Sequence, residues 1–392
     1  MNEILIDTLK PGMQFSQAVF LDDGENEFLP AFTAMTENEI ELLKNQNMRV
    51  IYTDGEIVKN RTQSESVRSQ YQQHEEKTPQ YESIEKKSVA FSSIKKTQTY
   101  TEYALLIRDM QGIFDTVKRR ERLSSTPVSK IEVKLSNLLN THAELLVALV
   151  FHEMNDYQMA KSAIDIASLS YLIAKQMQLG KEKISEITIA ALLHDIGMLR
   201  VNSEILQKSE KLKEAEMQAI ETHAMYGYDC LTSEFLYPQT LAKIVMQHHE
   251  WYNGTGYPSR LSENEIDIGA RILACADAFV AMTSHKSYRK KMLSYEAIKA
   301  LLNDNGTHFD PHVINALIRG IGIYPIGSIV MLSDSSLCRV VQSVPESILR
   351  PKLRLLIDPN GSIYGDEENK IVDLQIQKNI FITQAVDPEM VG

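Results

Sequence analysis

Apolar residues recur at three-to-four-residue spacing through the middle of the chain, from Tyr100 to about Ile321, and this period predicts helices. One clear stripe consists of Leu105, Leu106, Met110, Ile113, Phe114 and Val117. Six further helices are predicted, at 160–177, 183–195, 213–223, 239–249, 268–282 and 294–303. The segment 253–258, rich in glycine and ending in proline, interrupts the pattern and predicts a loop.

The two ends of the chain show different patterns. Short apolar runs at 3–6, 17–21 and 49–53, separated by turn residues, predict a small β-rich or α+β module. A short helix is predicted there over 36–45, with Thr36 as its N-cap. From Tyr324 onward, alternating positions predict strands at 328–332, 339–341 and 352–357, typical of a small β module.

These patterns predict a mainly α protein, in which a helical bundle is flanked by small N-terminal and C-terminal modules. Between 58 and 97 the chain is rich in Gln, Ser, Glu and Lys, which is typical of a linker. We therefore expect an accessory module at 1–58, a linker at 59–98 and a helical lead-in at 99–150. The main helical domain is expected at 151–322 and the β module at 323–392.

The amino-acid composition argues against a membrane-spanning protein, a disulfide-rich secreted protein and a nucleic-acid-binding protein. The content of 43% apolar and 24% charged residues is ordinary for a globular chain, and no run reaches the roughly 18 apolar residues of a membrane span. Three scattered cysteines argue against a disulfide framework, and the first residues lack a secretory pattern, so a cytoplasmic location is expected. The net charge of −11 argues against a partner that is a nucleic-acid polymer, but not against a small anionic ligand.

Candidate chemistry begins in two helical segments. In ALLHDIGML, residues 191–199, His194 and Asp195 lie among apolar residues, where an ionised carboxylate needs a cation or dense hydrogen bonding. In IVMQHHEWYNGTGYP, residues 244–258, His248 and His249 precede the predicted loop. Each segment alone also fits a structural role, as a capped helix end or a solvent-facing helix terminus.

A third segment and a further histidine strengthen a metal interpretation. Asp277 lies between small and apolar residues in ARILACADAFVAM, which is hard to explain as a purely structural position. His223 lies in a predicted helix that ends near Gly227, and alone it would suit a helix C-terminus. Imidazoles and carboxylates on successive helices of one bundle are together typical of a site for a divalent metal ion.

The order His-Asp, His, His-His, Asp, followed within the second segment by Gly256-Tyr257-Pro258, resembles the HD-GYP branch of the HD phosphohydrolases. The resemblance covers about residues 150–320 and is specific, because HDIG and HHE…NGTGYP occur together at family spacing. The segments 271–290 and 307–313 resemble later segments of the family. It implies an all-helical HD fold and a signalling role as a phosphodiesterase. The implied substrate is a cyclic dinucleotide, in particular cyclic di-GMP, cut to a linear dinucleotide and further to GMP.

The resemblance also implies roles for particular residues. A dinuclear iron or manganese centre is implied, with Asp195 as the bridging carboxylate. The implied metal ligands are His194, Asp195, His223, His248, His249 and Asp277. Lys286 and Arg289 would hold the substrate phosphates during catalysis, beside the loop residue Tyr257, although KSYRKK is also compatible with a solvated helix start. The loop and the terminal modules are candidate surfaces for protein partners.

Two departures from the family pattern favour an alternative. Where the family supplies a further histidine from an earlier helix, this chain has Lys161-Ser162, so one metal position is expected to be weakened. Where the family often has a phosphate-binding lysine, this chain has Met198. The alternative function is therefore a degenerate domain that binds a cyclic dinucleotide or a protein without turnover.

Overall fold

A computed structural model shows how the chain folds. It describes residues 2–57 with gaps at 11, 14, 18, 21–26, 30–34, 36–39, 41–42 and 44–49; residues 97–284 with gaps at 122–123, 152–156, 207 and 209–211; and residues 291–387 with gaps at 345–346, 366–367 and 369. The chain divides into two compact units. One comprises residues 91–327 and the other comprises residues 1–90 and 328–392.

The unit of residues 91–327 is helical. Its helices are α1 (Gln98–Lys118), α2 (Thr126–Val150), α3 (Gln158–Gln176), α4 (Lys181–Leu193), α5 (Ser203–Leu206), α6 (Glu214–Glu221), α7 (His223–Ser233), α8 (Gln239–Gln247), α9 (Ile268–Thr283), α10 (Ser294–Asn303) and α11 (Pro311–Ile321). A 3₁₀ helix, Ile196–Arg200, follows α4.

The centre of this unit is α3, which is buried on all sides over most of its length. Its run of Ala, Ile, Leu and Ser has no wide polar face, which is typical of a helix enclosed by others. It packs against α1, α2, α4, α9 and α11. The bundle therefore has a common core from which the ends of α4, α7 and α8 project the candidate site residues.

Two helices of the bundle begin at aspartate caps that the sequence places in suitable positions. Asp267 accepts a hydrogen bond from the backbone N–H of Gly269 at 2.7 Å at the start of α9. Asp310 accepts one from the N–H of His312 at 2.8 Å, and Pro311 occupies the first turn of α11. Arg271 pairs with Asp310 at 2.7 Å, so these two helix starts are joined.

The predicted helices are present with small shifts at their ends, apart from one correction. The sequence pattern placed His223 near the end of a helix that continues to Gly227. Instead α6 ends at Glu221, and α7 begins at His223 and runs through Gly227 to Ser233. Apolar periodicity continues across the boundary at Thr222, so it could not show that a second helix starts there.

The second unit contains two separate strand systems. Near the N-terminus, β1 (Asn2–Leu5), β2 (Val19–Phe20), β3 (Glu27–Leu29) and β4 (Val50–Thr53) form an antiparallel sheet in the order β1-β4-β2-β3. Its core includes Phe15, Met35 and Ile51. The predicted strands are confirmed, whereas the predicted helix at 36–45, apart from Ile40 and Leu43, and the linker at 59–98, apart from 97–98, lie outside the described residues.

Near the C-terminus, five antiparallel strands form a sheet in the order β8-β7-β6-β5-β9. They are β5 (Ile329–Leu332), β6 (Leu337–Gln342), β7 (Lys352–Ile357), β8 (Ile371–Asp373) and β9 (Ile382–Val386). The sequence predicted the first three. The fold is thus mainly α with small β modules, as predicted, and no helix in the described part of the chain has the length and apolarity of a membrane span.

Candidate metal centre

The candidate site forms where three helices end or begin. His194 caps the C-terminus of α4 and Asp195 follows it, before the 3₁₀ helix. His223 is the first residue of α7, and His248 caps the C-terminus of α8. Helix ends let adjacent residues such as His248 and His249 turn toward one point, which a continuing helix would prevent.

Glycine allows the backbones around this site to come close. At Gly197 a Cβ atom would overlap the backbone carbonyl oxygen of His223 and lie 2.6 Å from the backbone nitrogen of Gly227. The 3₁₀ helix and α7 therefore touch through their backbones. This contact brings Asp195 and His223 together, which explains the glycine of the HDIG motif in physical terms.

Three imidazoles are oriented by the carbonyl three residues before them. The Nδ1 atoms of His194, His223 and His248 lie 2.8, 2.8 and 2.5 Å from the carbonyl oxygens of Ala191, Ile220 and Val245. Because a carbonyl oxygen only accepts hydrogen bonds, each Nδ1 carries the proton. In the neutral imidazole each Nε2 then presents a lone pair, which is the tautomer and orientation that a metal ligand requires.

These Nε2 atoms converge beside Asp195. The Nε2 atoms of His223 and His248 are 3.4 Å apart. The Asp195 carboxylate lies 3.4 Å from His194 Nε2 and 3.5 Å from His223 Nε2. His223, His248 and His249 each offer a ligand atom within 4.8 Å of the others.

Two facing lone pairs repel unless a cation lies between them, so the donor set fits a divalent metal ion. The cluster is buried apart from His249 and the Asp195 side chain, of which 34% is exposed. Imidazole and carboxylate ligands together suit zinc, iron or manganese. These residues could therefore hold a metal that a small substrate reaches from solvent.

Without a metal, the electrostatics favour the neutral imidazole at His248 and His249 and the ionised carboxylate at Asp195, whereas His194 is protonated near neutral pH by its pairing with Asp195. Burial, reinforced by neighbouring imidazoles, holds the pKa of His248 well below its usual range and lowers the pKa of His249 to about 3. Burial raises the pKa of Asp195, but the imidazoles of His194 and His223 lower it more, so the carboxylate is ionised. Burial lowers the pKa of His194, but Asp195 raises it more, to about 9.

Two more predicted site residues lie beside this cluster. Asp277, half-buried on α9, is close enough that its charge helps to raise the pKa of His194. The ring of Tyr257 stacks on that of His249, with 4.8 Å between their centroids. Burial raises the pKa of the Tyr257 phenol, and the carboxylate of Glu221 raises it further.

Of the other residues that the sequence singled out, Lys161 and Met198 are described by the structure. Lys161 is buried on α3, and its ammonium lies 2.5 Å from Asp165 Oδ2 and 3.1 Å from the carbonyl oxygen of Val150. The Lys161 ammonium thus donates its hydrogen bonds to these two oxygens, and a protonated amine has no lone pair with which to bind a metal. Met198 lies in the 3₁₀ helix. Lys286 and Arg289 lie outside the described residues.

One residue of the site was missed by sequence reasoning. Glu250 directly follows His249 and is buried, with 2% of its surface exposed. Its carboxylate accepts hydrogen bonds from the backbone N–H groups of Ser259 and Leu261 at 2.6 and 3.0 Å. The signal was present in HHE, because a third ionisable residue at a helix end before a glycine-rich loop suggests a bond to that loop.

Comparisons with known proteins find two family models that match this chain. The family model described as "HD domain" matches residues 134–313, and that described as "KOW domain associated with HD domain" matches residues 329–392. A cyclic di-GMP phosphodiesterase of Pseudomonas aeruginosa is 29% identical over 67% of this chain and 63% of its own length.

Two further relatives match over shorter stretches. The cyclic di-GMP phosphodiesterase response regulator RpfG of Xanthomonas campestris is 38% identical over 38% of this chain and 40% of its own length. A 3'3'-cGAMP-specific phosphodiesterase of Vibrio cholerae is 36% identical over 41% of this chain and 35% of its own length. The chain thus spans less than two thirds of the length of each of these three relatives. The match shows an HD domain at residues 134–313, and these relatives together with the His194-Asp195 and Gly256-Tyr257-Pro258 motifs support membership of the HD-GYP family.

Proposed function

We propose that this chain is a metal-dependent phosphodiesterase that hydrolyses a cyclic dinucleotide, with cyclic di-GMP as its substrate. The observation that carries the proposal is the pair of Nε2 lone pairs of His223 and His248, 3.4 Å apart beside the Asp195 carboxylate. Such a set calls for a cation. The names of relatives that act on cyclic di-GMP or cGAMP supply the substrate class.

The proposed metal is iron or manganese in a dinuclear centre. Its ligands would be His194, Asp195, His223, His248, His249 and Asp277. When bound, such a metal would polarise a phosphodiester oxygen and lower the pKa of a water molecule bound to it to near neutrality. Asp195 lies between His194 and His223, which suits a carboxylate shared by two positions. One position would bind metal more weakly, because Lys161 stands where the family has a further histidine.

Substrate binding is proposed to involve Tyr257, Lys286 and Arg289. The phenol of Tyr257 is protonated near neutral pH, as an ordinary tyrosine is, and its raised pKa extends this to higher pH, so it can donate a hydrogen bond to a phosphate oxygen. The cationic side chains of Lys286 and Arg289 would offset the charge that develops during attack. Hydrolysis of one phosphodiester consumes one water and gives the linear dinucleotide, and a second hydrolysis gives GMP.

A second candidate function is binding without turnover. It is favoured by Lys161, whose ammonium is held by Asp165 and the carbonyl of Val150, and by Met198 at a position where the family often has lysine. A chain with one weakened metal position and fewer phosphate contacts would bind the cyclic dinucleotide and release it unchanged. It would then act as a receptor.

A substrate panel with defined metal loading separates the two functions. The full chain is purified without oxygen, stripped of metal and reloaded with Fe²⁺ or Mn²⁺. Cyclic di-GMP and 3'3'-cGAMP are then supplied, with products separated by chromatography and binding measured by calorimetry. We expect linear dinucleotide from cyclic di-GMP with one of these metals and none in the metal-free chain. Binding without product under both metals would establish the receptor instead.

We also propose the domain boundaries derived from the sequence, with an HD-GYP domain at 151–322 and a β module at 323–392. The "HD domain" match begins earlier, at residue 134, and therefore includes most of α2. Protein partners are proposed to contact the loop that contains Tyr257 or the terminal modules. A pull-down with the full chain, compared with a loop variant, would test the first of these.

A further inference from the structure

The buried carboxylate of Glu250 has its hydrogen bonds outside the histidine cluster. Carboxylates are rarely buried unless hydrogen bonds or charges compensate for the lost hydration. Here one oxygen accepts the N–H of Ser259 at 2.6 Å and the other accepts the N–H of Leu261 at 3.0 Å. Both donors belong to the backbone of the segment that follows Tyr257, so both carboxylate oxygens of Glu250 accept hydrogen bonds from the loop.

The loop closes back on the helix end that carries Glu250. The N–H of Tyr257 donates to the carbonyl oxygen of His249 at 3.1 Å. A Cβ atom at Gly256 would overlap the backbone nitrogen of Trp251 and lie 2.5 Å from that same carbonyl oxygen. Tyr257 therefore lies between two attachments, the carbonyl of His249 before it and the carboxylate of Glu250 after it.

The opening part of the loop has its own attachment. The N–H groups of Tyr252 and Asn253 donate to the carbonyl oxygens of His308 and Thr307 at 3.0 and 2.9 Å. The ring of Trp251 lies against that of His308, with 3.9 Å between their centroids. The closing part is joined to the opening part by the N–H of Glu263, which donates to the carbonyl oxygen of Tyr252 at 2.9 Å. Glu250 adds the side-chain hydrogen bonds to residues 259–261, which lie nearer to Tyr257.

We propose that Glu250 is a positioning residue for substrate binding. Its carboxylate fixes residues 259–261, and this holds the ring of Tyr257 on that of His249 at the edge of the metal cluster. The proposal rests on the proposed function, in which Tyr257 contacts the cyclic dinucleotide. Since both hydrogen bonds go to an ionised acceptor, they are stronger than neutral ones. Glu250 acts through the loop and touches neither metal nor substrate.

The test is Glu250→Gln in the full, metal-loaded chain. The glutamine oxygen can accept one of the two N–H groups, but its NH₂ group then faces the other donor. We expect KM for cyclic di-GMP to rise roughly tenfold, the size of losing one charge-assisted hydrogen bond. Metal content and kcat should stay within twofold of wild type. Glu250→Asp keeps the charge but has a shorter reach, so its KM should lie between the two.

A second readout does not depend on turnover. Trp251 is the single tryptophan of the chain, so its fluorescence reports on this loop alone. Trp251 is 39% exposed, its ring lies against His308, and Gly256 packs on its backbone, so release of the closing part should expose the indole further. Acrylamide should therefore quench Glu250→Gln more efficiently than wild type, at equal metal content and equal far-UV circular dichroism.

The matched control is Asp358→Asn. Asp358 also accepts two loop N–H groups, those of Asn360 and Ser362 at 2.9 and 2.8 Å, but it lies in the other unit. Its substitution should change neither KM nor Trp251 quenching. The proposal is overturned if Glu250→Gln matches this control in both readouts, or if it loses metal, since Glu250 would then act on the ligands. If the wild type hydrolyses neither cyclic dinucleotide, the proposed function fails while the quenching comparison still decides the role of Glu250.

Discussion

The Asp195 carboxylate lies between two imidazoles that belong to different helices, 3.4 Å from His194 Nε2 and 3.5 Å from His223 Nε2. In the proposed dinuclear centre this one side chain would serve both metal positions. We predict that Asp195→Ala loses metal and turnover together. The fall in metal affinity should exceed about 100-fold, the upper end of what losing an outer hydrogen-bond partner causes. Metal titration by calorimetry and a hydrolysis assay on the same preparation measure both.

Asp229→Ala provides the control for this variant, because Asp229 is an exposed carboxylate on α7, the helix that His223 begins. It should bind metal and turn over like the wild type. If Asp195→Ala kept full turnover, the assignment of Asp195 as a shared ligand would be wrong. If it kept metal but lost turnover, Asp195 would act on the substrate rather than the metal.

At the scale of single residues, the sequence indicated which side chains belong to the candidate site but not which hydrogen bonds they make. His194 and Asp195 were predicted from ionisable residues in apolar surroundings and His248 from a histidine pair before the loop, and the structure brings them together. The roles of Lys161 and Glu250 were not predicted. Each is defined by partners that folding supplies, namely the carbonyl of Val150 for the lysine and two loop N–H groups for the glutamate.

The 3₁₀ helix and α7 can touch only because Gly197 has no side chain. A side chain at this position should therefore move the two elements apart. In Gly197→Ala the new methyl group would overlap the carbonyl oxygen of His223. The two elements must separate, which moves His223 away from Asp195. We expect a loss of about 1–3 kcal/mol in the free energy of unfolding, typical of overpacking. Metal affinity should fall as well. Urea unfolding of the metal-free chain and metal titration measure the two effects.

Gly112→Ala is the matched control, since a Cβ atom at this exposed position of α1 would meet no atom within 4 Å. Alanine favours a helix interior by about 0.5–1 kcal/mol over glycine, so this variant should be slightly more stable and bind metal normally. Equal behaviour of the two glycine variants would show that the backbone contact at Gly197 does not position the site.

At the scale of elements, periodicity predicted the helices that carry the site but not where they join. The predicted helices at 160–177 and 294–303 match α3 and α10 closely, because a buried stripe repeats along each. The boundary before His223 was placed wrongly because Met217, Ile220 and His223 keep the three-residue spacing across it. Strands β8 and β9 were missed, since neither contains a buried residue, whereas β5, β6 and β7 each contain several.

At the scale of the whole molecule, the candidate ligands all lie in the unit of residues 91–327, on or beside α4, α7, α8 and α9. The other unit consists of two β systems from the two ends of the chain. This division was not apparent from the sequence, which gave the β modules as separate flanks. Because all candidate ligands lie in the unit of residues 91–327, a bound metal ion should stabilise that unit directly.

Hydrogen exchange of the full chain tests that consequence. A metal ion at 100 times its Kd stabilises the unit that binds it by about 2.7 kcal/mol, so amides that exchange through unfolding of that unit should slow roughly 100-fold. We expect this protection in α4, α7 and α8 when Mn²⁺ is added to the stripped chain. Amides of β5, β6 and β7 should exchange at unchanged rates, and Asp195→Ala should abolish the difference. Equal slowing in the sheet would mean that the two units unfold together, and slowing in neither would contradict a metal centre at His223 and His248.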